Sequence, residues 1–359
     1  MTYLIAAAGT GGHVFPGLAV GEALLELGVA QEDVMYVGGD RLEAEVYPDH
    51  GFHFFSVELA GLKRSLTLQN ARIPGVVARA RNAISSEIED RKVRVVLGMG
   101  GYVTVPAGLA ARRNRVPLFN AEQNAGAGLA NRIAARWARR TFTSFPETRG
   151  LPGAEWTGNP VREAFWTFDR AGLSPTAHDH FGLDPDRRTV GVFGGSLGAG
   201  AINEAIADCL STWSGPEVNV VHLTGAAHLD EMDSRDAHPS VRWVRRGFED
   251  RMELFYAASD LVVARAGGAV AELTATATPS ILVPGDFGSG GHQTENATAL
   301  VRIGAAEVVA QADLARLGGF LEGLIADEDR LATMASATAA LAKPEAALTI
   351  ANVMIEAAR

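Results

Sequence analysis

The feature that most restricts this chain occurs twice: a short apolar run, then a cluster of glycines, then a helical pattern. Residues 3–8 run into Gly9-Thr10-Gly11-Gly12-His13 and a helix-like stretch over 16–27. Residues 189–193 run into Gly194-Gly195-Ser196-Leu197-Gly198-Ala199-Gly200 and a helical stretch over 203–210. A strand that feeds a helix through a tight glycine turn opens a βαβ unit, and its next strand lies parallel to the first. Further apolar segments at 34–37, 52–57 and 94–97 extend the first set, and those at 219–223, 241–244, 261–264 and 280–283 extend the second. The expectation is an α/β protein of two doubly wound parallel sheets, with a hinge around 158–162. Pro344 opens a last helix, whose Leu348, Ile350, Val353 and Met354 need a partner surface. Residues 1–160 plus 345–359 are therefore assigned to one domain and 161–344 to the other.

Length and composition agree. A chain of 359 residues is too long for one ordinary core and suits two. Its 40 glycines exceed the usual ~7% share, as expected where backbone must approach backbone or a ligand. The single cysteine, Cys209, excludes an intramolecular disulfide framework and a cysteine-based zinc site, and fits a reducing compartment. No signal peptide is visible, and no apolar run reaches the ~20 residues of a membrane-spanning helix. The net charge of −10 is unevenly spread: 161–359 holds 15 Lys+Arg against 27 Asp+Glu, whereas 61–140 holds 15 against 4. Such a basic region points to an anionic partner (phosphate, membrane or nucleic acid), with a solvated surface as the alternative.

Each glycine turn has a chemical reading and a structural one. Consecutive glycines let backbone N–H groups converge on a phosphate at a helix N-terminus, where the helix dipole adds attraction. Thr10, Gly11 and Gly12 make one such turn. His13 beside them is a candidate general base, because imidazole accepts a proton near neutral pH; the alternative is a cap on the following helix. Gly98-Met99-Gly100-Gly101-Tyr102 is a second candidate phosphate cradle, or a turn needed only for packing. Glu122-Gln123-Asn124 ends a strand at 117–120 and suits hydroxyl or amide recognition, with a helix cap by Asn124 as the alternative. Arg162, in Gly158-Asn159-Pro160-Val161-Arg162, is placed to neutralise a phosphate, or is a surface arginine. Ser196 adds a hydroxyl to the second-domain turn. Arg265-Ala266-Gly267-Gly268 opens a helix carrying Glu272, a carboxylate suited to both hydroxyls of a ribose, and Gln293 and Asn296 suit sugar hydroxyls.

In this order, GTGGHVFPGLA, GGYVTVPAGLAA, EQNAGAGLANR, GNPVR, GGSLGAGAIN and HQTENA resemble the bacterial cell-wall glycosyltransferase family that converts undecaprenyl-diphospho-muramoylpentapeptide (lipid I) to lipid II in peptidoglycan synthesis. The resemblance runs from Ala8 to about Ala299. It implies a GT-B fold: two Rossmann-like domains facing across a cleft, the first for the lipid acceptor and the second for UDP-N-acetylglucosamine. It implies direct displacement with inversion at the anomeric carbon, no metal, no cofactor and no nucleic-acid partner. Ser196 and Arg162 are implied to contact the donor's diphosphate, Glu272 its ribose, and Gln293 and Asn124 its sugar. Thr10, Gly11 and Gly12 are counted with the donor-binding residues. The two N-terminal turns, with Gly100, Gly101 and Tyr102, are further expected to hold the acceptor's diphosphate. The first turn departs from the family in reading Ala8-Gly9-Thr10 where another glycine is usual. Asp286 is the one acidic residue of the glycine-rich 285–291 loop.

Such an acceptor sits in the inner leaflet, and an amphipathic stretch over 62–84 supplies a matching surface. Ile73, Val76 and Val77, with Ala80 and Ile84, share a helical face flanked by Arg72, Arg79 and Arg81. This face is expected to lie on the anionic cytoplasmic surface of the membrane as a peripheral attachment, the alternative being that it packs on the domain's own sheet. Other functional readings are a different GT-B glycolipid glycosyltransferase, a UDP-N-acetylglucosamine 2-epimerase-like enzyme and a non-catalytic nucleotide-sugar sensor.

Overall fold

The first apolar run becomes strand β1 (Thr2–Ala6), buried from its second residue on. It is central because it is apolar on both faces, as a strand covered by helices on both sides must be. The computed structural model describes residues 1–59, 73–195, 198–285 and 291–359. In the first unit, residues 1–166 with 343–359, β1 is joined by β2 (Val34–Gly38), β3 (His53–Ser56), β4 (Val93–Gly98), β5 (Leu118–Glu122), β6 (Arg140–Thr143) and β7 (Glu155–Trp156). The strand order is β3-β2-β1-β4-β5-β6-β7, and every pairing is parallel. The second unit, residues 167–342, contains β8 (Arg188–Phe193), β9 (Val218–Leu223), β10 (Val241–Arg246), β11 (Leu261–Ala264), β12 (Ser280–Leu282) and β13 (Ala306–Val308). These also pair parallel, in the order β10-β9-β8-β11-β12-β13.

Each sheet reverses its winding once, between β1 and β4 in the first unit and between β8 and β11 in the second. At such a switch point the two neighbouring turns leave in opposite directions and open a crevice at the carboxyl ends of the strands, where ligands of this architecture bind. The described residues of the turns at 9–13, 98–102, 194–200 and 265–268 follow the carboxyl ends of β1, β4, β8 and β11.

The last helix, Ala346–Ala358, belongs to the first unit. Its Ala347, Ile350, Ala351, Met354 and Ala358 join the core built by β1 and the Gly11–Glu26 helix. The partner surface its apolar face requires is thus the domain in which the chain began.

One expected surface is interior. In the helix Ile73–Asp90, Val76, Ala80, Ile84 and Ile88 are buried, and the last three pack with Val93, Val96, Ala107 and Ala110 in a core cluster. Val76 therefore does not face a membrane, and Ile73 and Val77 are half-buried. The reason is general: an amphipathic helix beside a parallel sheet has an apolar surface of its own domain within reach. Arg79 is exposed and pairs with Glu58 at 2.9 Å, while Arg81 donates to Asn82. Arg72 lies outside the described residues. No helix among the described residues is long and apolar enough to cross a membrane.

Candidate functional site

The first crevice is built by two turns that touch. Helix Gly11–Glu26 begins inside the first glycine turn, with Thr10 as its N-cap, rather than at Pro16. Pro16 sits within it and brings no N–H to the Gly12 carbonyl. His13 occupies the first turn of this helix, not a cap position, and its Nδ1 lies 3.4 Å from Thr10 Oγ1. The second turn crosses close above: Met99 N donates to Ala6 O at 2.8 Å. Gly101 has φ +76°, and a Cβ there would meet Ala8 O at 2.4 Å, so a side chain would drive the two turns apart. A Cβ on Gly100 would stand 2.8 Å from His13 Nε2. The turn is braced by Thr104, whose Oγ1 accepts from Gly100 N at 3.0 Å, and Tyr102 beside it is exposed.

Two buried carboxylates hold this geometry: Glu43, which the sequence reading did not single out, and Glu122, which it expected to recognise hydroxyl or amide groups. Glu43 accepts from Gly9 N at 3.2 Å and from Gly39 N at 2.9 Å, tying the first turn to the end of β2. Glu122 accepts from Asn124 N, Asn124 Nδ2, Gly128 N and Asn131 Nδ2 at 2.8–3.0 Å. The backbone of 122–128 is thereby folded around one carboxylate. Asn124 does not cap the next helix, Leu129–Ala134, whose N-cap is Gly128. Acidic residues at strand ends are common, and their inward direction leaves no mark in sequence.

Arg162 stands further along the first helix. Its guanidinium lies over the Phe165 ring at 5.9 Å. It also acts on Glu22, whose carboxyl burial pushes above its ordinary range and Arg162 partly draws back.

In the second unit the turn after β8 leads into helix Gly200–Ser211. Gly198, at φ +77°, approaches Thr224 O so closely that a Cβ would stand 2.1 Å from it. Ser196 lies outside the described residues. Across the switch point, β11 leads through Gly267-Gly268 into helix Ala269–Ala275, where Glu272 is half-buried. Tyr256 Oη donates to Glu272 Oε2 at 3.0 Å, which fixes one carboxylate oxygen. Gln293 begins the helix His292–Arg302. Its Oε1 accepts from Gly285 N at 2.8 Å, and its Nε2 faces Gly267, 3.8 Å from where a Cβ would be. Asn296, expected to meet sugar hydroxyls, is instead buried and donates to Ala266 O at 3.0 Å, so it braces the turn. Residues 286–290, Asp286 included, lie outside the described residues. Among the described residues no cluster of three or more His, Cys, Asp or Glu side chains is placed to hold a metal ion.

Two parallel-sheet units, each with paired turns at its switch point, are the GT-B fold, and residues 3–143 and 189–350 match the N-terminal and C-terminal domains of glycosyltransferase family 28, which makes the chain a glycosyltransferase. Across its whole length, and 89% of the relative's, the chain is 38% identical to the UDP-N-acetylglucosamine–N-acetylmuramyl-(pentapeptide) pyrophosphoryl-undecaprenol N-acetylglucosamine transferase of Mycolicibacterium paratuberculosis. It belongs to that transferase family, within glycosyltransferase family 28. The crystal structure of MurG from Acinetobacter baumannii superposes with a TM-score of 0.80 at 27% identity, covering 99% of this chain and 100% of that one. A UDP-GlcNAc 2-epimerase from Neisseria meningitidis, bound to UDP-GlcNAc, shares the fold at a TM-score of 0.66 and 15% identity, over 99% of this chain and 100% of that one.

Proposed function

We propose that this enzyme transfers N-acetylglucosamine from UDP-N-acetylglucosamine to the muramoyl C4 hydroxyl of undecaprenyl-diphospho-muramoylpentapeptide, with inversion, forming lipid II for peptidoglycan. The observation that carries this reading is the whole-length relationship to transferases named for that reaction, at 38% identity. In this reading the first domain takes the lipid acceptor and the second the nucleotide sugar.

His13 accepts the proton of the acceptor hydroxyl as its oxygen bonds to the anomeric carbon. The bond from that carbon to the UDP diphosphate breaks on the opposite face. A positioned base typically contributes ~10²–10⁴-fold. The departing diphosphate gains negative charge, which the amides at the start of helix Gly200–Ser211, Ser196 and Arg162 stabilise. Glu272 holds the ribose, and Gln293 and Asn124 orient the sugar. Gly100, Gly101 and Tyr102 offer the acceptor's diphosphate its cradle, with Thr10, Gly11 and Gly12 opposite. The acceptor's lipid anchor places the working enzyme peripherally on the cytoplasmic face of the membrane.

The test is UDP release from UDP-N-acetylglucosamine with and without a lipid I analogue. Acceptor-dependent UDP with a disaccharide product is the expected result. Epimerised nucleotide sugar formed without acceptor, or release that ignores the acceptor, would refute the reading.

A further inference from the structure

Gln123 follows β5 directly and is 7% exposed. Its Nε2 donates to Ala121 O at 3.2 Å, which decides the orientation of the amide. The side-chain oxygen is thereby turned toward the second glycine turn, where it has no hydrogen-bond partner. A Cβ on Gly100 would stand 3.3 Å from this Oε1 and 2.8 Å from His13 Nε2. The amide oxygen and the imidazole nitrogen therefore border one small volume, kept open because residue 100 is glycine. Asn120 and Asn131 also carry buried oxygens without partners. Their amide nitrogens, however, are tied to Asn131 O, Ala121 O and Glu122, inside the network of β5 and the following helix.

A buried carbonyl oxygen without a partner is costly and is normally satisfied. Among the described residues nothing donates to this oxygen. An acceptor-only oxygen beside a candidate base suits a donor group on the molecule that the base deprotonates. We propose that Gln123 is a binding residue for the acceptor sugar, its Oε1 accepting a hydrogen bond from an N–H or O–H of the sugar whose hydroxyl reacts. The assignment rests on the reading of His13 as the acceptor-side base. The exocyclic C6 hydroxyl and the acetamido N–H of that sugar share this chemistry.

Steady-state kinetics of Gln123→Met test it, because methionine keeps the length of the side chain and loses the oxygen. The acceptor KM for a lipid I analogue should rise about 5- to 100-fold, with the donor KM unchanged and the thermal midpoint near that of the parent. Two further acceptors, one with its acetamido nitrogen methylated and one lacking the C6 hydroxyl, identify the donor group. The parent should discriminate against one of them by a similar factor, and Gln123→Met should lose that discrimination. An unchanged acceptor KM in the folded variant, a rise confined to the donor KM, or a parent indifferent to both analogues overturns the proposal. If the methionine variant loses its fold, Gln123→Glu decides, since it keeps an acceptor oxygen and must keep the parent's discrimination. His13→Ala is measured alongside. Near-parental turnover there, with a raised acceptor KM in Gln123→Met, removes the base and leaves the binding residue standing.

Discussion

Tyr256 is fully buried, yet its hydroxyl reaches Glu272. A carboxylate at the start of a short helix has several rotamers, and a hydrogen bond to one oxygen selects among them before any ligand arrives. Tyr256→Phe should therefore raise the donor KM about 3- to 10-fold while kcat and the acceptor KM move less. An unaltered donor KM would mean that Glu272 needs no such support. His222 is a different kind of buried polar residue. Its Nε2 bonds to Asn203 Oδ1 at 3.0 Å, its ring lies parallel to Trp243, and burial, followed by the nearby Arg245 charge, pushes its pKa down to about 3. An unfolded histidine titrates near ~6.5. Between those values the unfolded chain binds the extra proton. The stabilising contribution is thus complete above pH ~6.5 and is lost as pH falls toward 3, at up to about 1.4 kcal/mol per pH unit. Melting curves between pH 7 and 4 should show a shallower loss of midpoint in His222→Gln than in the parent. Equal slopes would assign the acid sensitivity to other groups.

At the scale of elements, what the sequence made legible was whatever repeats with a period. The strands at 34–38, 93–98, 218–223 and 261–264 stand within a residue or two of their apolar runs. The two-residue β7 and three-residue β13 offer too few positions for any pattern. The face of helix Ile73–Asp90 was legible as amphipathic, but not in its destination, because periodicity says which residues share a side and not what covers it. Contacts between elements far apart in sequence were wholly hidden. Arg170 sends its guanidinium to Tyr256 O, Ser259 O, Thr276 O and Thr278 Oγ1. It thereby ties together the carboxyl ends of the helices Met252–Ala258 and Ala269–Ala275, which carry Tyr256 and Glu272. Burial lowers this arginine's pKa from its ordinary value, and it is still the planar, five-donor cation that such a fork requires. The glycine turns were readable as turns. The carboxylates of Glu43 and Glu122 that shape them were not, since nothing local distinguishes a carboxylate that folds inward from one that meets solvent.

At the scale of the whole molecule the charge is the property most directly tied to where the enzyme works. Residues 61–140 hold 15 basic against 4 acidic side chains, while 161–359 hold 15 against 27. Val76, Ala80 and Ile84 lie inside the first unit, so among the described residues the surface that fits the proposed membrane attachment is the set of exposed basic side chains. Arg79 is already half-committed to Glu58. Arg112, Arg113 and Arg115 are exposed at the end of helix Thr104–Arg113. Arg112 also lines a pocket of about 260 Å³ with Arg136, Trp137, Leu118, Val116 and Gly108. Each basic side chain near an anionic leaflet is worth ~1 kcal/mol, so these three supply ~3 kcal/mol and the other basic residues of 61–140 must add to them. The enzyme should float with anionic vesicles and not with zwitterionic ones, and should release between low and physiological salt as the charges are screened. Arg112→Glu/Arg113→Glu/Arg115→Glu, which alters only exposed positions, should abolish flotation. Arg79→Glu/Arg81→Glu should weaken it less, because Glu58 already offsets part of that charge. Binding that persists in the triple variant would place the contact elsewhere on the chain, and binding indifferent to salt would make it apolar after all.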